Sequence, residues 1–347
     1  MTFPHLKIKN SLPWIILAMV VLFFLSWPLL STNSLWLWHT NSEDNNHLIV
    51  NSQPVTTPKN KNVLVFGGDI MLSRTVNAKM EKYQNYNWPF EKIASIFSEA
   101  DLAIANLESP FLFTDNYQVL SGSFSFKANP QSVAGLSLSG FDVLSLANNH
   151  ILNQGKKGVL DTKKVLDEAG ISYSGLVENN LVIKESNGLK FAFLAYTYDD
   201  SSALIANMSN ESQLQLDIES AKEKADIVIV MMHAGTEYVK TPNKQQVSFA
   251  HLAIASGADL VIGHHPHWPQ IIEQYQGKTI IYSLGNLIFD QMWSLETRKG
   301  LIAKVYFDGK ELTNIEYFPI IIKDYGQAEL ITDETVKNDF LKNLNLD

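Results

Sequence analysis

Apolar positions along this chain gather into short unbroken runs, and six of these stop at residues able to bind metal. Val63–Phe66 runs into Gly67-Gly68-Asp69, Leu102–Ala105 into Asn106-Leu107-Glu108, and Val143–Ala147 into Asn148-Asn149-His150. Ile227–Met232 stops at His233, Leu260–Ile262 at Gly263-His264-His265-Pro266-His267, and Ile280–Ser283 at Leu284-Gly285-Asn286. Runs this short, bounded by turn residues, predict buried strands. Between them the spacing turns helical. Phe90, Ile93, Ala94 and Phe97 share one face of a helix predicted over Pro89–Phe97, with proline in its first turn. Val159–Ala169 and Lys244–Ser256 are predicted helices that end at Gly170 and Gly257. Strand and helix in alternation predict an α/β fold with parallel pairing in its sheets. After Gly300 the pattern changes to two edge strands, Leu301–Phe307 and Phe318–Ile322, and a short amphipathic helix from Glu334.

In open α/β sheets, ligands collect beyond the carboxyl ends of parallel strands. Carboxylates, imidazoles and a carboxamide gathered there are the ingredients of a metal site. His265-Pro266-His267 is the strongest single signal. In an extended strand the two rings would point to opposite sides, but past the strand end a proline turn lets both converge. Three of the nine histidines fall within 264–267, with His264 expected to turn away from the site. Asp69 alone reads equally well as a turn or helix-cap residue, Glu108 as a loop carboxylate and His233 as a core histidine. Their joint occurrence at strand ends favours a shared site.

The longest apolar stretch has a different meaning. Leu12–Leu30 is uncharged and, at ~1.5 Å per residue, reaches about 28 Å, the thickness of a bilayer's hydrocarbon core. Lys7 and Lys9 precede it and Trp14 and Trp27 sit near its ends, so the positive-inside rule keeps the N-terminus cytoplasmic and exports the rest. The alternative is a cleaved signal peptide, but no small-x-small site of the Ala-x-Ala kind follows the stretch. The expected organisation is a cytoplasmic 1–11, a membrane anchor 12–30, a polar stalk 31–62, one globular domain 63–325 and a C-terminal extension 326–347. Absence of cysteine removes disulfides and thiolate metal sites, and the net charge of −9 argues against nucleic acid as a partner.

Five blocks together resemble a known family. They are Gly68-Asp69-Ile70-Met71, Ala105-Asn106-Leu107-Glu108, Gly140–His150, Gly263–His267 and Tyr282–Asp290. In this order they are similar to the signature segments of the CapA (PgsA) proteins of poly-γ-glutamate capsule synthesis. The resemblance implies a four-layer α-β-β-α sandwich of the calcineurin-like metallophosphoesterase type with two divalent transition-metal ions (Mn, Fe or Zn). It implies Asp69, Glu108, Asn149, His233, His265 and His267 as metal ligands and His150 as the catalytic acid. Arg74, Asn148, Lys127 and Asn286 are the candidate substrate contacts. The chain departs from the family pattern at Asn153, where Asp is common, at Ala234, where Trp is usual, and at Lys127, where Arg is common. Met71 stands where ordinary metallophosphoesterases carry a further histidine.

The expected function is that of a single-pass membrane protein with an extracytoplasmic domain. It would support synthesis or export of an anionic surface polymer alongside the synthase and export membrane subunits. Its metal site would hydrolyse a phosphoester or amide, with His150 protonating the leaving group. The rival readings are a non-catalytic assembly subunit and an independent metal-dependent phosphodiesterase.

Overall fold

A computed structural model describes residues 61–120, 122–198 and 202–345. Its strands, in chain order, are β1 (Lys61–Ile70), β2 (Leu102–Leu107), β3 (Val143–Ser145), β4 (Ser172–Ser174), β5 (Val182–Ser186), β6 (Leu189–Thr197) and β7 (Ile227–His233). They continue with β8 (Leu260–His264), β9 (Ile272–Tyr275), β10 (Lys278–Ile281), β11 (Asn286–Ile288), β12 (Lys299–Asp308), β13 (Glu311–Lys323) and β14 (Gln327–Leu330). All six apolar runs are therefore strands, and they divide between two sheets. The first has the order β14-β13-β12-β1-β2-β3-β4, with β11 added alongside the end of β1; the second has the order β5-β6-β7-β8-β10-β9.

Parallel pairing holds in the middle of each sheet, along β1-β2-β3-β4 and β6-β7-β8-β10. The flanks are antiparallel, so the expectation of parallel sheets is only partly met. Nor is β12 an edge: it lies between β1 and β13, which is why its apolar positions are buried. Segment 327–330 pairs with β13, so the chain beyond residue 325 is built into the first sheet. The predicted helix over Pro89–Phe97 is a run of turns followed by a short helix, Ala94–Ser98. Its apolar residues are nonetheless buried, so the periodicity identified the buried positions and overstated the helix length. The helices Gly155–Ala169 and Lys244–Ser256 end at Gly170 and Gly257, both left-handed, as read from the sequence.

The unbroken apolar runs reflect burial on both faces of each sheet. In β7, Ile227, Ile229 and Met231 join the core shared with the first sheet, while Val228, Val230 and Met232 join a second core. That second core is completed by Leu214, Ile218, Phe249 and Ala253 of helices Glu211–Lys224 and Lys244–Ser256. β2 is buried at all six positions and so needs cover on both faces; helix Ala94–Ser98 packs against it. The anchor expected over 12–30 and the stalk up to residue 60 lie outside the described residues. Among the described residues no helix is long and apolar enough to cross a membrane.

Candidate metal centre

Strand register aligns the site. Across the first sheet Ser145, Asn106, Asp69 and Asn286 lie side by side on β3, β2, β1 and β11. A bulge at Gly67-Gly68 shifts the register of β1 just before Asp69, and such an irregularity re-aims the side chain that follows it. A Cβ on Gly68 would stand 1.9 Å from the Gly285 carbonyl oxygen, so only glycine lets the 285–286 segment close over β1 there. Across the second sheet His233 and His264 are paired on β7 and β8. Beyond β8, His265 and His267 take φ of 95° and 57° on either side of Pro266. Left-handed backbone at a bulky residue costs roughly 1–3 kcal/mol and persists where surrounding contacts impose it.

These strand ends meet. Asp69, Glu108 and His267 present ligand atoms that all lie within 4.8 Å of one another, and all three residues are buried. His233 Nε2 and His150 Nε2 stand 3.9 and 3.8 Å from Glu108 Oε1, and His265 Nδ1 stands 3.1 Å from His233 Nε2. Asn149 Oδ1 lies 2.9 Å from His233 Nε2. All six sequence-predicted ligands are therefore in one cluster. A metal fits it on two grounds. Both Glu108 oxygens are buried with no hydrogen-bond partner, and a mixed carboxylate, imidazole and carboxamide set suits a borderline divalent ion.

The electrostatics describe a cluster that lacks positive charge. Burial, then the neighbouring charges of Asp69 and Glu237, push Glu108 well above the ordinary carboxyl range. Burial also acts to raise Asp69, but His264 and His267 outweigh it and hold that carboxyl well below its usual value. Burial, then the neighbouring His265, lowers His233 well below an ordinary imidazole, and burial brings His265 and His150 down to about 4.

Several residues do other work than expected. His264 does not turn away: its Nδ1 lies 3.4 Å from Asp69 Oδ1, and it is 1% exposed. Asn148 is a buried brace, donating to the Leu107 carbonyl and accepting from the backbone amides of His150 and Ile151. Asn286 holds His267 Nδ1 at 2.9 Å and is itself tied to Gln291 and the Thr297 carbonyl. Arg74 lines the cleft beside the cluster but is ion-paired with Asp290 and donates to the Ser123 carbonyl. Lys127 is half-buried, and among the described residues no contact of its side chain joins it to the cluster.

Sequence reasoning passed over Asn106, whose Nδ2 lies 2.8 Å from Asp69 Oδ1 and 3.2 Å from His233 Nδ1. Its place two residues before Glu108 at a strand end was the available signal. Asn153, read as a loss of charge, keeps a geometric role. Its Oδ1 accepts from the Phe126 amide at 2.7 Å and stands 3.0 Å from His150 Nδ1. Because that oxygen is an acceptor, His150 donates from Nδ1 and leaves Nε2 bare toward Glu108, while its ring stacks on Phe126 at 4.0 Å.

Residues 63–291 match the family model described as bacterial capsule synthesis protein PGA_cap. The PGA biosynthesis protein CapA of Bacillus subtilis is 32% identical over 295 residues, 81% of this chain and 77% of its own length. The capsule biosynthesis protein CapA of Bacillus anthracis is 31% identical, covering 81% of this chain and 72% of its own. A probable polyglutamine synthesis accessory protein of Mycobacterium tuberculosis is 28% identical over 64% of this chain. Among solved structures, a phosphatase from Mycoplasma pneumoniae aligns with a TM-score of 0.50 and 16% identity, covering 82% of this chain and 99% of that one. At that identity the likeness concerns the fold alone.

Proposed function

The chain belongs to the bacterial capsule synthesis protein PGA_cap family, and from that premise we propose that it serves poly-γ-glutamate capsule synthesis through a metal-dependent hydrolytic site. The observation that carries the reading is the convergence of Asp69, Glu108 and His267 with two unpartnered carboxylate oxygens in a buried pocket. The sheets and their flanking helices support a calcineurin-like α-β-β-α sandwich. In this reading Asp69, Glu108, Asn149, His233, His265 and His267 would hold the divalent ions, Mn, Fe or Zn, with the two carboxylates offsetting part of their charge. The domain is held outside the cell by an anchor over 12–30 and works with the membrane subunits of polymer synthesis and export.

The ions, when bound, supply Lewis-acid polarisation of an ester or amide oxygen. The protein's own residues do the rest. Asn106 and His264 flank one oxygen of Asp69, while the His265 amide donates to the other at 3.2 Å. Asn286 orients His267. His150, neutral at physiological pH with Nε2 bare, takes up a proton before it can hand one to a leaving group.

The non-catalytic alternative has its own support in Met71, which stands where a further histidine ligand is usual, and in Asn153. One experiment separates the two. Purified full chain is analysed for metal, alone and as His265→Ala/His267→Ala, and His150→Ala is tested for restoring surface polymer in cells lacking the native copy. The enzyme reading expects metal in the wild type, loss of at least one ion in the double variant, and a folded, metal-loaded His150→Ala that fails to restore polymer. Full restoration by His150→Ala would leave the assembly reading standing, and equal metal in wild type and double variant would remove the metal centre.

A further inference from the structure

Beside the cluster lies a cleft of about 160 Å³ whose floor includes His150 and His267. A water needs at least ~10–15 Å³ of such space, so the cleft has room for a small end group. Its walls are aromatic. Tyr238 stacks on His267 at 5.9 Å and meets Trp293 edge-on at 5.7 Å, while Phe124 lines the mouth. Phe124 and Trp293 are 74% and 63% exposed, so much of each ring is open to solvent.

The charges lining the cleft are unequal. Arg74 is neutralised by its buried ion pair with Asp290. Glu237 is half-buried and has no cationic partner among the described residues. Aromatic faces around a carboxylate without an ionic partner are the elements of a cation site, because ring faces and a carboxylate both attract a positive group. A metal centre next door would take an anionic group. We propose that the cleft is a subsite for an ammonium group, so that the site takes a ligand end carrying an ammonium beside an anion.

The proposal rests on the reading of the cluster as a metal centre and deepens the assignment to poly-γ-glutamate. In a γ-linked glutamate chain, an ammonium and a carboxylate share one carbon only at the amino-terminal unit. Internal units offer carboxylates and amides but no cation. The cleft therefore selects the amino end of the chain, with the α-ammonium between Glu237 and the rings and the α-carboxylate toward the metals. A polyanion bound along its length has no use for Glu237.

The test is calorimetric titration of the metal-loaded full chain with two matched pairs of probes. The first pair is tetra-γ-glutamate with a free amino end against its N-acetylated form; the second is phosphoethanolamine against ethyl phosphate. Each ammonium probe should bind about tenfold or more tightly than its counterpart lacking the ammonium, within the range of a cation held by aromatic faces. Glu237→Gln should abolish that preference, with acetylated tetra-γ-glutamate and ethyl phosphate bound no more weakly than by the wild type, and Trp293→Leu, at an exposed position, should reduce it. If phosphoethanolamine shows a Glu237-dependent preference and neither glutamate probe binds, the ammonium subsite stands and the polyglutamate reading falls. Equal binding within both pairs, a preference indifferent to Glu237→Gln, or no binding by any probe overturns the subsite.

Discussion

Replacing Glu108 by Gln should make the metal-free protein more stable and the metal-loaded protein less so. Glu108 is fully buried and neither oxygen meets a donor, so its ionised form is disfavoured by burial first and by Asp69 next. The folded state therefore keeps the Glu108 proton above the ordinary carboxyl value of 4.5, while the unfolded chain has released it. The native state binds more protons than the unfolded state in that window. Stability then falls as pH rises, by about 1.4 kcal/mol per pH unit, from the ordinary value up to the raised one. The substituted carboxamide does not titrate, and contributions from the other groups are largely shared between the two proteins. The variant's advantage should be smallest at pH 5 and grow toward pH 7. For a domain of this size each kcal/mol of that advantage widens the melting-point gap by roughly 2–4 °C. Saturating Mn²⁺ or Zn²⁺ at a hundredfold excess over its dissociation constant adds about 2.7 kcal/mol to the wild type and little to the variant, closing or reversing the gap. Thermal unfolding of both proteins by circular dichroism at pH 5, 6 and 7, with and without metal, reads all of this. Parallel pH slopes for the two metal-free proteins, together with equal metal-induced shifts, would refute the reasoning.

Three further outcomes follow from other contacts. Gly263→Ala places a Cβ 1.9 Å from the Tyr282 carbonyl oxygen, a backbone atom that cannot swing aside, so stability should fall by ~3 kcal/mol or more and metal content should fall with it; unchanged melting would show that β8 and β10 part freely. Asn153→Asp puts a carboxylate against His150 Nδ1 and favours the charged ring, so the imidazole midpoint, read by NMR in the metal-free protein, should rise from about 4; an unmoved midpoint would mean that Asn153 does not set the ring's state. Protease added to intact cells should cleave the region after Asn62 and spare the N-terminus; a membrane-free product beginning near Ser31 would point instead to a cleaved signal.

Much of the centre was legible because its residues sit where periodicity ends. An apolar run of three to six residues names a strand and also names the residues just after it, which is how Asp69, Glu108, His233 and the 264–267 segment could be picked out before any coordinate was known. What the pattern cannot express is which way a side chain turns beyond the strand. His264 was expected to face away, yet as the last residue of β8 it follows the strand's alternation inward, toward Asp69. His265 and His267 reach the cluster only through left-handed backbone, a conformation no hydropathy pattern encodes. Pairing direction was hidden for a similar reason. β12 is apolar enough to read as a strand, but its antiparallel place beside β1 depends on contacts across more than two hundred residues.

The glycines at two of these strand ends explain why the chemistry gathers there. Gly68 and Gly263 each lie where a Cβ would collide with a carbonyl of the 282–285 segment, one from each sheet. That segment runs from β10 in the second sheet to β11 beside β1 in the first, so it crosses between the layers at the level of the candidate ligand residues. Both sheets must approach its backbone closely for Asp69 and the 264–267 turn to meet. Asn286 then ties the crossing to the site through His267. The glycines ahead of Asp69 and His264 are thus part of the centre's construction. They bring two separate sheets within ligand distance of one another, which a strand-end carboxylate or imidazole cannot do alone.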